Sequence, residues 1–175
     1  MQKLCWMALA GFALLVLSGC PGANVTTDYD HQTNFSQFKT FSFAKVETDN
    51  PFYEQRIKDE IAKDLQAKGL QIAQSGGDLE VTAVGSAVNK QEYSTFYNGP
   101  RFGYYYGGFG TLGGYTTTRV NNYKVGTLVV DMYNGNSRHL VWRGTASRTI
   151  SGSAGDMTKH LNSAIDQMLQ KFPPA

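Results

Sequence analysis

The spacing of apolar positions changes several times along this chain, and each change marks an element. An unbroken apolar run, Trp6 to Leu17, follows Lys3. Residues 25–30 read as a short strand. From Phe38 to Val46 the residues alternate, with Phe41 and Phe43 on one face, which predicts a second strand. Asn50-Pro51 then offers a helix N-cap and a first helical residue. Tyr53, Ile57, Ile61 and Leu65 recur every fourth position and predict an amphipathic helix to about Lys68, with Gly69 as its stop. Glu54, Lys58, Asp59, Lys63 and Asp64 fall mostly on the solvated faces of that helix.

Leu70 to Ala73 begins the next strand, and Ser75-Gly76-Gly77 is a turn signal. Over Asp78 to Lys90, Leu79, Val81 and Ala83 alternate with Glu80 and Thr82. Tyr123 to Tyr133 and Arg138 to Ile150 read as two more strands, joined by the hairpin signal Asn134-Gly135-Asn136. Ser153-Ala154-Gly155-Asp156 has capping-box spacing, with Asp in place of Glu. Met157, Leu161, Ile165, Met168 and Leu169 predict a last helix, which Pro173-Pro174 stops. The expected fold is α+β, in the order β-β-α-β-β-β-α. It has a mostly antiparallel sheet, two helices on one face, and a long Gly/Tyr-rich loop between strands. Residues 25–175 form a single domain, with the Gly/Tyr-rich insertion at 93–118.

The N-terminal run changes the picture most. One positive charge, a short apolar core and Leu17-Ser18-Gly19-Cys20 have the layout of a lipoprotein signal peptide over residues 1–19. The run is too short to span a bilayer, which takes roughly 20 apolar residues. Leu17, Ser18 and Gly19 form the peptidase recognition site, where the small residues allow close approach. Cys20 supplies the thiol that is lipidated, and residues 20–24 serve as anchor and tether. Pro21 stands where an aspartate would favour inner-membrane retention. The expected location is therefore the bacterial cell envelope, with an outer-membrane anchor facing the periplasm favoured over the inner membrane.

Removing Lys3 from the sixteen Lys plus Arg leaves fifteen, against fourteen Asp plus Glu. That balance gives no electrostatic case for nucleic acid. Cys5 and Cys20 are the two cysteines, so processing leaves no free thiol for a disulfide, a nucleophile or a metal.

Several short motifs recur in a known order. They include Val25-x-x-Asp28-Tyr29-Asp30, Phe35 and Phe38 before Lys39-Thr40-Phe41, Lys68-Gly69-Leu70, and Asp78-Leu79. Gly126-Thr127-Leu128-Val129-Val130-Asp131, Val141-Trp142-Arg143-Gly144 and Phe172-Pro173-Pro174 complete the set. In these features the chain resembles the bacterial lipoproteins known as domain of unknown function 4136. The resemblance implies a membrane-anchored envelope protein and supplies no catalytic residues.

The constellations for chemistry are thin. Asp28, Asp30 and His31 cluster near the anchor, but the three histidines, His31, His139 and His160, fall on separate elements. The Asp side chains are better read as stabilising a strand end and turn. No serine lies in a Gly-x-Ser-x-Gly elbow, and Ser151-Gly152-Ser153 reads as a loop and helix cap. Gly107-Gly108-x-Gly110 lacks the Gly-Lys-Ser/Thr of a phosphate loop, which argues against nucleotide. Asp131 and Arg143 suit a structural cross-strand ion pair, and Trp142 suits the core. The expectation is no enzyme, no catalytic or metal residue and no cofactor.

The remaining candidate is the Gly/Tyr-rich segment, with Tyr97, Phe102, Tyr104, Tyr105, Tyr106, Phe109 and Tyr115 as interaction residues. Tyrosine pairs an apolar face with a polar tip. Arg101 is the one cation between Tyr93 and Thr118, too little for a nucleic-acid groove. The expected function is a noncatalytic envelope lipoprotein, a protein-interaction or structural module of the periplasmic space. Its partners are the membrane, through Cys20, and an envelope protein. The alternative is a lipid- or glycan-binding accessory subunit of an envelope transport system.

Overall fold

A computed structural model describes residues 22–98 and 115–173 of the chain. In order these form β1 (Asn24–Tyr29), a 3-10 turn (Phe35–Gln37), β2 (Thr40–Thr48), α1 (Pro51–Ala67), β3 (Gln71–Ile72), β4 (Leu79–Asn98), β5 (Tyr115–Asn134), β6 (Leu140–Ile150) and α2 (Ala154–Gln170). The strands make one sheet in the order β1-β6-β5-β4-β2-β3.

The sheet is mixed, which corrects the mostly antiparallel expectation. The pairs β1–β6, β6–β5 and β5–β4 are antiparallel, whereas β2 runs parallel to both β3 and β4. The cause is α1, which returns the chain to the starting end of β2 before β3 and β4 are laid down. The expected element order also lacked a strand. Residues 71–72 pair with β2 as a separate short strand, cut from β4 by the turn through Gly76, whose φ is +65°.

Local chemistry fixes both helices. The Asn50 side chain accepts a hydrogen bond from Phe52 N at 3.1 Å, and Pro51 begins α1. At the other end Gly69 takes φ +90°, Leu70 N donates to Leu65 O at 3.1 Å, and Gly69 N donates to Gln66 O at 2.9 Å. This satisfies the terminal carbonyls and turns Leu70 into the core. Ser153 and Asp156 form the reciprocal capping box at the start of α2.

Asp78 fastens the start of β2. Its carboxylate accepts from Lys39 N and Thr40 N, at 2.8 and 2.9 Å. These backbone donors hold the Asp78 carboxyl below the usual range. The β5–β6 connection is a hairpin, as Asn134-Gly135-Asn136 predicts, but positive φ falls on Arg138. Gly135 serves close approach instead: a Cβ there would lie 2.2 Å from Gly77 O.

One face of the sheet is covered by α1 and α2. Leu79, Val81 and Ala83 of β4 and Leu128, Val130 and Met132 of β5 point into this core with Ile57, Ile61, Leu65, Ile165 and Leu169. Phe41 and Phe43 share that face and meet edge to face at 5.8 Å. Trp142 is fully buried and lies along its own strand over Gly144. A Cβ on Gly144 would sit 2.5 Å from Trp142 Cη2 and 3.1 Å from Met168 Sδ. The indole meets Phe172 edge to face at 5.7 Å, and Phe172 meets Phe35 at 5.6 Å. On the other face Arg143 forks onto Asp131, with Nε to Oδ1 at 2.6 Å and Nη2 to Oδ2 at 2.7 Å. Asp131 is buried rather than exposed, so this pair is more enclosed than a surface pair.

Between the helices, Glu60, Asp64 and Asp166 bring carboxylate oxygens within 4.8 Å of one another. Lys63 pairs with Glu60 and lies 3.6 Å from Asp166. Burial, reinforced by the Asp166 charge, pushes the Asp64 carboxyl up to about 6. A carboxyl with a folded pKa above its unfolded value costs stability once ionised, so this cost grows as pH rises from about 4 to about 6.

Two outcomes follow for stability. Gly144→Ala displaces the indole and lowers the free energy of unfolding in urea by about 1–3 kcal/mol, without loss of cooperativity. Asp64→Asn raises the thermal midpoint near pH 7.5, where the native carboxylate is ionised, and gives little gain near pH 4.

Candidate interaction site

β4 and β5 pair without interruption from Leu79↔Asn134 to Asn98↔Tyr115. Their neighbours stop much earlier. β2 last pairs with β4 at Thr48↔Gly85, and β6 reaches only Lys124↔Ile150 on β5. Beyond these points the two strands continue as a ribbon. From Lys90↔Tyr123 to Asn98↔Tyr115, at about 3.4 Å per residue, it reaches roughly 27 Å past the sheet.

This revises the expected loop. Residues 93–98 and 115–118, read as part of a Gly/Tyr-rich excursion, are strand. The glycines of the segment all fall between Asn98 and Tyr115, while Thr116, Thr117 and Thr118 are β-branched and suit an extended backbone. Tyr97 and Tyr115 lie on the ribbon, paired with Thr116 and Asn98. Phe102, Tyr104, Tyr105, Tyr106 and Phe109 lie outside the described residues, as do Leu17, Ser18, Gly19 and Cys20.

Strand alternation divides the ribbon into two faces. Tyr93 and Val120 are directly opposite one another on the side that continues the helix-covered face. Phe96 stands on the other side, opposite Thr117. Tyr93 is 65% exposed and Phe96 59%. Nearer the sheet, exposed Val84 and Val88 continue the Phe96 side. Lys90, Glu92 and Arg119 put charge along the ribbon, and such residues disfavour pairing with a further strand. The ribbon therefore offers its faces for contact rather than its edges. Sequence reading found the aromatic segment but missed Val84, Val88 and Val120, whose alternation becomes legible only once the strands are known to extend this far.

At the root of the ribbon lies a cavity of about 420 Å³ between the sheet and the first turns of α1 and α2. It too was missed. Its signal was the decline in size along one strand face, from Leu79 and Val81 to Gly85 and Ala87.

The other sequence candidates have structural roles. Asp30 accepts from Gln32 N at 2.9 Å and from Thr33 Oγ1 at 2.7 Å, closing the turn after β1. His31 packs against Tyr29 with the rings tilted by 52° and 4.3 Å apart, whereas His160 sits on α2 beside Arg148. Among the described residues, the group with carboxylates close enough for a cation is Glu60, Asp64 and Asp166, and the Lys63 ammonium already lies against it. No helix among the described residues is long and apolar enough to cross a membrane.

Comparison with known proteins gives the chain its relatives. No curated protein sequence matches it. A DUF4136 family protein from Bacteroides thetaiotaomicron shares the fold, with a TM-score of 0.56 at 20% identity, over 86% of this chain and 95% of that one. A PDZ domain protein from Parabacteroides distasonis superposes with a TM-score of 0.58 at 15% identity. That match covers 87% of this chain but only 36% of the larger protein. The family model for the domain of unknown function DUF4136 matches residues 25–174, nearly all of the described domain and the ribbon with it, and the chain belongs to that family.

Proposed function

We propose that this chain is a noncatalytic, membrane-anchored protein of the bacterial cell envelope whose β4–β5 ribbon engages a protein partner. The observation that carries the reading is the exposure of Tyr93 and Phe96 on a paired ribbon beyond the last neighbouring strands. An isolated two-stranded ribbon is marginally stable in water, and this one is rooted in a buried ladder. Large aromatic side chains presented on such a support lose little conformational entropy when a partner covers them. Tyrosine and phenylalanine are also enriched at the centres of protein interfaces.

The anchor reading rests on Lys3, the apolar run and Leu17-Ser18-Gly19-Cys20. With lipid on Cys20 and the first strand beginning at Asn24, the tether is short and holds the domain close to the membrane. The noncatalytic reading rests on the contacts found for His31 and His160, the Ser153 cap and the Asp131–Arg143 pair.

Crosslinking in intact cells with a photoreactive residue at Thr118, on the same side of the ribbon as Tyr93 and Val120, tests the partner. A discrete protein adduct is expected with the native background. It should fall by about tenfold when Tyr93→Ser and Val120→Ser are added, which removes apolar contact worth more than 1.4 kcal/mol. An adduct unchanged by these substitutions, with the fold intact by circular dichroism, moves the interaction elsewhere.

A further inference from the structure

The cavity at the root of the ribbon has a chemistry of its own, independent of any protein partner. Its floor is the helix-facing side of β4, β5 and β6, where Gly85, Ala87, Gly126 and Ala146 supply almost no side chain. Tyr53 and Ile57 of α1 and Met157 and Leu161 of α2 form its walls. The same helices pack tightly further along, where Leu79, Val81, Val130 and Met132 fill the space. The helices therefore cover a floor that thins, and an apolar slot of about 420 Å³ remains. That volume lies in the range of small-molecule sites, about 300–1,000 Å³.

The rim is cationic. Arg148 stands on the helix-facing side, opposite Gly126, and its Nη1 lies 3.0 Å from His160 Nδ1. It is half-buried, yet no carboxylate among the described residues lies within ion-pair distance. Lys124, opposite Ile150, lines the same rim and likewise has no acidic partner there. The one acid on the rim, Asp49, is engaged, because its Oδ2 accepts from Ala87 N at 3.2 Å. A half-buried guanidinium without a counter-anion is costly, and an anion supplied by a ligand relieves that cost.

We infer that this slot binds an acyl chain carrying an anionic head, with the chain between the two helices and the head on Arg148 and Lys124. A fatty acid and an anionic phospholipid share this chemistry. A glycan does not, because the floor and walls offer few polar groups to replace water.

Photolabelling of the full chain in membranes decides the matter. Three probes of equal chain length carry a diazirine near the chain end: a palmitic acid analogue, a phosphatidylglycerol analogue and an alkyltrimethylammonium. One or both anionic probes should label the peptides containing Ile57, Met157 or Leu161, and the one that does identifies the source. Arg148→Met should lower that labelling about tenfold, the loss expected for one charge-assisted contact, and Arg148→Lys should restore most of it. Ala87→Phe, which fills the slot, should abolish it. If that variant fails to fold, the Met and Lys variants at Arg148 carry the decision. Equal labelling by the cationic probe, labelling indifferent to Arg148, or no labelling of these peptides overturns the inference.

Discussion

The seating of Trp142 on Gly144 is the contact on which the rest of the structure depends. The indole lies flat along β6 because residue 144 has no side chain, and Met168 of α2 closes over the same spot. From there an edge-to-face series runs through Phe172 to Phe35 and Phe38. One buried ring thus joins a central strand, the chain end after α2 and the turn after β1. Each aromatic contact is worth about 0.5–1.5 kcal/mol beyond its buried area, so the series stabilises an arrangement that no local propensity would specify. The same strand carries Arg143 outward to Asp131, so successive residues secure the sheet to its helix on one side and to its neighbouring strand on the other.

With that end of the domain fixed, the other end is free to differ. Along β4 the inward residues run from Leu79, Val81 and Ala83 to Gly85 and Ala87, and then out of the core altogether. This decline first opens the cavity and then releases the hairpin from its cover. β2 leaves β4 after Gly85 and β6 leaves β5 at Lys124, the partner of Asn89, so the ribbon has no neighbouring strand beyond that pair. The apolar slot and the aromatic ribbon are two consequences of one taper in side-chain size. Ala23, just ahead of β1, also lines the slot.

Much of this was legible in the sequence. Asn50-Pro51 and Gly69 bounded α1, and Ser153 with Asp156 capped α2, because caps are read from a few adjacent residues. Phe41 with Phe43, the inward residues of β4 and the burial of Trp142 followed from period and size. The strand directions did not follow, because a two-residue strand such as Gln71–Ile72 leaves almost no periodic trace. The ribbon was half-read: the aromatics stood out, but the glycines between Asn98 and Tyr115 concealed that the residues flanking them, 93–98 and 115–118, continue the strands. The cavity left only a faint trace, the decline in size along β4, since it arises from glycines and alanines brought together by three strands and two helices.

β4 and β5 form one continuous ladder, protected at its root and exposed at its far end. Amide hydrogen exchange on the full chain reads this directly. Residues 79–85 and 128–134 should exchange only through global unfolding. Residues 90–98 and 115–123 should exchange faster, with matched rates in paired positions such as Tyr93 and Val120. Protection that ends abruptly near Val88 and Val125, with free exchange beyond, would contradict the ladder and remove the support on which the ribbon presents its aromatic residues.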